Sequence, residues 1–180
     1  MKPATIQSMI KSIPKTLTHT APDGATTPKQ IYVEDARHAR VDDHLKTAPI
    51  VLTFRFMDDR PSAATPTNRL LAVRVPEEGD IVETRGEITA VTMSLNLFAR
   101  AGGEPPGEDL VDQAADALIL WSIRDLPRAV TVRERGPVHD LSYLEEGRAR
   151  RQMDVIIEVP TAYLVAVRTI EEIDHTLSVQ

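Results

Sequence analysis

The chain has 180 residues, which suits one domain, and no cysteine, so disulfides, thiolate zinc sites, iron–sulfur clusters and cysteine nucleophiles are excluded. Its net charge of −6 and pI near 5.4 argue against a general DNA- or RNA-coating protein, which would be basic. Hydrophobic residues make up 42% but aromatic residues only 4%, so the core must be built from Val, Ile, Leu and Ala, and the 13 prolines imply many short connections and edge positions.

No apolar run approaches the roughly 18 residues that a membrane span needs. The opening Met1-Lys2-Pro3-Ala4-Thr5 is not followed by an apolar signal core. The expectation is a protein without membrane contact, made in a cytoplasm and used there or in something assembled there.

In chain order, Ile6, Met9, Ile10, Ile13 and Leu17 recur at helical spacing and predict an amphipathic helix over 4–17. Pro14 must kink or end it, because proline disfavours α geometry at Ile13. Residues 18–29 are polar and turn-forming and predict an exposed loop. A short strand, Ile31 to Glu34, comes next. Residues 35–48 are charged without a steady period.

Pro49 to Met57 is a strand candidate, rich in β-branched and aromatic residues, with proline at its first position, where a missing N–H is tolerated. Residues 58–68, with Pro61 and Pro66, predict a long loop. Leu70 to Val75 and Ile81 to Thr84 flank Pro76-Glu77-Glu78-Gly79-Asp80 and predict a hairpin. After Gly86 a long strand over 87–99, apolar on both faces towards its end, is expected in mid-sheet.

Gly102 to Gly107 is a break. The clearest helix follows, from about Glu108 to Asp125, with Leu110, Ala114, Leu118 and Ser122 in one row. Glu108, Asp109 and Asp112 suit its positive end, and Pro127 stops it. Strands are expected again at Ala129 to Arg135 and at Arg148 to Val159, separated by a loop over 136–149. Pro160 interrupts the second, and Tyr163, Val165 and Val167 resume its alternation. Thr169-Ile170-Glu171-Glu172 opens either a capped final helix or a continued strand. The sum is a single α+β domain over 1–180, with a mixed, mainly antiparallel sheet, one long packed helix and an N-terminal helix.

Residues with chemical potential are few. His38, Asp42, Asp43 and His44 are ligand types for zinc or a redox metal, but a helix would place His44 away from His38 and Asp42. A solvated loop is the plainer reading. His139-Asp140 with Ser142 has the parts of a hydrolase triad, without a Gly-x-Ser-x-Gly turn to present the nucleophile. The carboxylate pairs Asp58-Asp59, Glu77-Glu78, Glu145-Glu146 and Glu171-Glu172 fall at turns or element ends, where solvated surface is the default. The glycines match neither a P-loop nor a dinucleotide fingerprint. No catalytic residue, metal or cofactor is expected.

The arginines of the last third form a pattern. Arg133 and Arg135 are two apart, as are Arg148 and Arg150, with Arg151 beside them. In one antiparallel register Arg133 faces Arg150 and Arg135 faces Arg148. Four guanidinium groups on one face would need anions, since like charges directly opposed are unfavourable. Glu134, Glu145 and Glu146 are near enough in sequence to supply some, or the register differs. The functional reading is an anion-facing interface, toward acidic neighbouring subunits or DNA phosphates. On that reading, charge reversal of Arg148 and Arg150 would impair assembly and leave the fold intact.

Three segments resemble the tail terminator and neck (head–tail joining, tail completion) proteins of tailed phages. Ala48-Pro49-Ile50-Val51-Leu52-Thr53 resembles the family's early proline-led strand. Glu87 to Phe98 with the helix after it resembles the central strand–helix unit, and Arg150 to Ile157 resembles the late strand. The resemblance implies a non-enzymatic virion protein. It would form a ring, usually of six copies, capping the tail tube and docking the head connector, with passive contact with passing DNA. Its partners would be copies of itself, the tail tube protein and the head–tail connector protein. The alternatives are another tail or baseplate subunit, or a small metal-dependent enzyme using the His38–His44 region.

Overall fold

The computed structural model describes residues 4–61, 69–74, 81–127 and 130–167. The fold divides into two compact units, Met1–Arg60 with Thr89–Val159 and Pro61–Ile88 with Pro160–Gln180. The expected turn over 76–80, the pair Glu171-Glu172 and the alternatives at Thr169 lie outside the described residues, as does most of the expected loop over 58–68.

The first unit opens with α1 (Ala4–Ser12), shorter than the predicted helix. Pro14 ends it, and Leu17 is buried in a strand, β1 (Thr16–Thr20). The segment 18–29 is not a loop. β1 pairs antiparallel with β2 (Thr26–Asp35) around a tight turn at Ala21-Pro22-Asp23-Gly24-Ala25. Proline pre-sets the first turn position, Asp23 Oδ1 accepts from Ala25 N at 3.0 Å, and Gly24 takes φ 85°, a left-handed conformation that glycine adopts without steric cost. β1 and the first half of β2 bury only Leu17 and His19, so hydrophobic alternation was too faint to mark them, while the strand expected at Ile31 to Glu34 is the second half of β2.

β2 has two partners along its length. Thr26–Gln30 pair with β1, and Ile31–Asp35 pair in parallel with β3 (Ile50–Pro61). The crossover between those parallel strands carries a single helical turn, α2 (Val41–His44). β5 (Ile81–Arg100) follows, then α3 (Gly107–Arg124), β6 (Thr131–Arg135), the two-residue β7 (His139–Asp140), a 3-10 turn at Ser142–Leu144, and β8 (Arg148–Val167). The sheet order is β1-β2-β3-β5-β8-β6, and β7 also pairs with β8. The fold is therefore α+β with a mainly antiparallel sheet, as expected from the sequence. β5 runs on through Gly86 and β8 through Pro160 rather than breaking there.

Successive strand residues point to opposite faces, and here the two faces differ in chemistry. Val91, Met93, Leu95, Leu97 and Ala99 of β5 join Met153, Val155, Ile157 and Val159 of β8 and Ile50 and Leu52 of β3 beneath α1 and α3. α3 adds Leu110, Val111, Ala114, Leu118 and Trp121, and the row Leu110, Ala114, Leu118 and Ser122 that the helical spacing predicted is buried. Each Val, Leu, Ile or Met side chain among them is worth about 1.5–3 kcal/mol of burial. Trp121 Nε1 donates to Ser12 Oγ at 3.0 Å, so the polar tip of a buried ring is satisfied by α1. Gly107 permits the helix to start where it does: a Cβ there would overlap the Arg100 carbonyl. The other face carries only a small apolar cluster, Leu45, Val51 and Phe98, with Val41 against it.

The second unit includes an antiparallel hairpin of β4 (Arg69–Arg74) on Ile81–Gly86, with a register shift between Leu70 and Ala72. Arg85 Nε donates to Glu83 Oε2 at 2.6 Å along one strand of it. No helix among the described residues is long and apolar enough to cross a membrane.

Candidate functional site

The arginines of β6 and β8 meet different fates. β6 pairs with the middle of β8, with Thr131 opposite Glu158, Val132 opposite Ile157 and Arg135 opposite Val155; a shift in register falls between Val132 and Glu134. Arg133 therefore does not face Arg150, nor Arg135 Arg148. The reason is where the chain reverses: β6 and then β7 run along β8 in nearly one register, so the turn falls at 141–147 rather than directly after Arg135. Gly136 donates its N–H to Asp154 O at 2.8 Å, and the chain then places β7, not β6, beside Arg151 and Gln152.

Arg148, Arg150 and Arg151 are held internally. Arg148 Nη2 lies 2.7 Å from Glu145 Oε2, and its Nη1 lies 3.2 Å from Asp42 Oδ1 on α2. Arg150 Nη1 donates to Glu145 Oε1 at 2.8 Å, and its Nη2 and Nε donate to Asn96 Oδ1 of β5 at 2.8 and 3.2 Å. Both guanidinium carbons stand over the Phe98 ring, at 6.0 and 5.3 Å from its centre. One glutamate, Glu145, thus bridges two arginines that would otherwise repel. The reversal expected to spare the fold would instead break this bridge.

Arg151 points to the other face, toward α3, and is 8% exposed. Its Nε donates to Asp112 Oδ1 at 2.6 Å, and its Nη1 donates to Asp140 Oδ1 at 2.7 Å and Ser142 Oγ at 3.0 Å. A buried guanidinium needs such partners, since desolvation without them is costly. Arg151 ties α3, β7 and the 3-10 turn to β8.

The hydrolase reading dissolves in the same place. Ser142 Oγ accepts from Arg150 N at 3.0 Å as well as from Arg151, and its own proton points to Arg150 O at 3.4 Å. A hydroxyl that accepts two donors is engaged as a brace. Asp140 accepts the Ser142 N–H at 2.9 Å, and that bond first, with the Arg151 charge, holds its carboxyl below the usual range.

The His38–His44 segment does not converge either. His44 stacks on Tyr32 with ring centres 3.8 Å apart, and its Nε2 lies 2.9 Å from Glu34 Oε2, an ion pair when the imidazole is protonated. Asp43 pairs with Lys46 at 2.7 Å, which lowers the carboxyl and raises the amine, while Asp42 turns to Arg148. His38 is exposed. Among the described residues no group of three histidines or carboxylates is arranged to hold a metal ion.

Arg133 and Arg135 remain at the surface. Arg133 Nη1 is 3.9 Å from Glu158 Oε1, the long limit of an ion pair, and Arg135 is exposed. They line an open groove of about 570 Å³ with Ser122, Ile123, Leu126, Val130, Val132 and Glu134, between the end of α3 and the edge strand β6. Sequence reasoning placed the two arginines on this strand but missed the groove. Its signal was present in Ile123, an apolar position off the buried row of α3. Compared with models of known protein families the chain matches none, and comparison with curated proteins gives no match either.

Proposed function

We propose that this chain is a structural subunit, not an enzyme, and that it forms the tail terminator or neck ring of a tailed virus. The observation that carries the reading is an open sheet whose main path ends in two five-residue edge strands, β1 and β6. An edge strand presents unpaired main-chain donors and acceptors to a neighbour. Two such edges on one subunit suit head-to-tail contacts, which close into a ring when the rotation allows.

The order of elements supports the same reading. A short N-terminal helix, a proline-led strand, a long central strand, a packed helix and closing strands come in the order of the family the sequence resembles, with the β1–β2 hairpin, α2 and β4 set between them. The ring caps the tail tube and docks the head connector within the virion, and DNA passes its lumen. Light scattering and negative-stain microscopy of the purified chain test this. A closed ring is expected, and it should bind the ends of tubes built from a tail tube protein. A monomer at every concentration, without tube binding, overturns it.

A further inference from the structure

We propose that the exposed face of α3, with the groove beyond its C-terminal end, is a two-fold contact between two copies of this chain. It goes beyond the ring reading, because it uses a helix face rather than sheet edges. Asp109, Asp116, Leu120 and Ile123 fall on one side of α3 by their helical spacing, and all four are exposed. Leu120 is 47% and Ile123 66% exposed, adjacent apolar side chains on a helix whose other face fills the core. Past the helix end, Ile123 shares its groove with Leu126, Val132, Arg133 and Arg135.

The surface is therefore acidic at one end, apolar in the middle and basic at the other. Glu134 also lines the basic end and Glu158 stands 3.9 Å from Arg133, so among the described residues Arg135 is the cation of this groove outside an ion pair. A two-fold axis through the apolar middle makes this surface complementary to itself. Asp109 and Asp116 of one copy then oppose Arg133 and Arg135 of the other, while Leu120 and Ile123 pack against their mates. A parallel arrangement would oppose like charges instead. At a net charge of −6, copies repel one another overall, so local complementarity of this kind selects the contact.

The absence of native cysteine makes the test direct. Leu120→Cys, near the axis, should form a disulfide-linked dimer under mild oxidation. Asp109→Cys lies about 16 Å further along the helix and should not, because the bond needs Cα atoms within about 7 Å. In sedimentation, Ile123→Asp should weaken dimerisation at least tenfold with an unchanged circular dichroism spectrum. Reversing Asp109 and Asp116 to Arg, or Arg133 and Arg135 to Glu, should weaken it similarly, and the combined variant should recover it. Failure of Leu120→Cys to cross-link, equal linking by Asp109→Cys, or no recovery in the combined variant overturns the contact. Rings without the Leu120→Cys link would leave the ring reading standing and this contact refuted; linked dimers without rings would do the reverse.

Discussion

β6 and β8 carry the same residue type at the same spacing, yet their arginines do opposite things. Those of β8 are neutralised within the chain by Glu145, Asp42, Asp112 and Asp140, with Asn96 accepting from Arg150. Those of β6 face outward at the edge of the sheet. A central strand has neighbours on both sides and elements over both faces, so a charge there must be matched internally. An edge strand has solvent to spend on its charges. Position in the sheet, not sequence spacing, decides which cation is structural and which is available to a partner.

The largest test of this contrast is Arg151→Met. It removes a buried hub whose partners, Asp112 and Asp140, are more than half exposed and so rehydrate. The loss should be about 2 kcal/mol in urea unfolding, below the usual cost of splitting a fully buried pair. Next is Glu145→Ala, which leaves Arg148 and Arg150 facing each other without their shared anion. A loss of about 1–2 kcal/mol is expected, with Arg148→Ala in the same background restoring part of it.

Asp140→Asn should cost less and depend on pH. The folded carboxyl titrates below its unfolded value, so its contribution is complete above the usual carboxylate range and is lost as pH falls below that range through the folded value. Thermal melts of the variant and the parent should differ at neutral pH, and the difference should shrink only as pH drops below about 4. The smallest effect on stability should come from Arg135→Ala, within about 0.5 kcal/mol, as for an exposed substitution. Its effect should appear instead as weaker self-association in sedimentation, the reverse of the β8 variants.

Much of the fold was legible in the chain because periodicity reports burial. Leu110, Ala114, Leu118 and Ser122 marked the buried row of α3, and the alternation of Met153, Val155, Ile157 and Val159 marked the inner face of β8. The β1–β2 hairpin was not legible, since it buries so little, although Pro22-Asp23-Gly24 marked its turn. In the candidate site, the identity of the arginines was readable and their grouping was not.

What the sequence determined by itself was composition and local period: an aliphatic core, no thiol chemistry, and the type of those elements that bury a periodic face. Only the tertiary structure decided the register of β6 on β8. Register depends on where the chain reverses, and a reversal at 141–147 rather than directly after Arg135 set every cross-strand neighbour of the arginines. It also decided that Leu120 and Ile123 stay exposed, because a helix spacing shows which residues share a face but not what the fold packs against it.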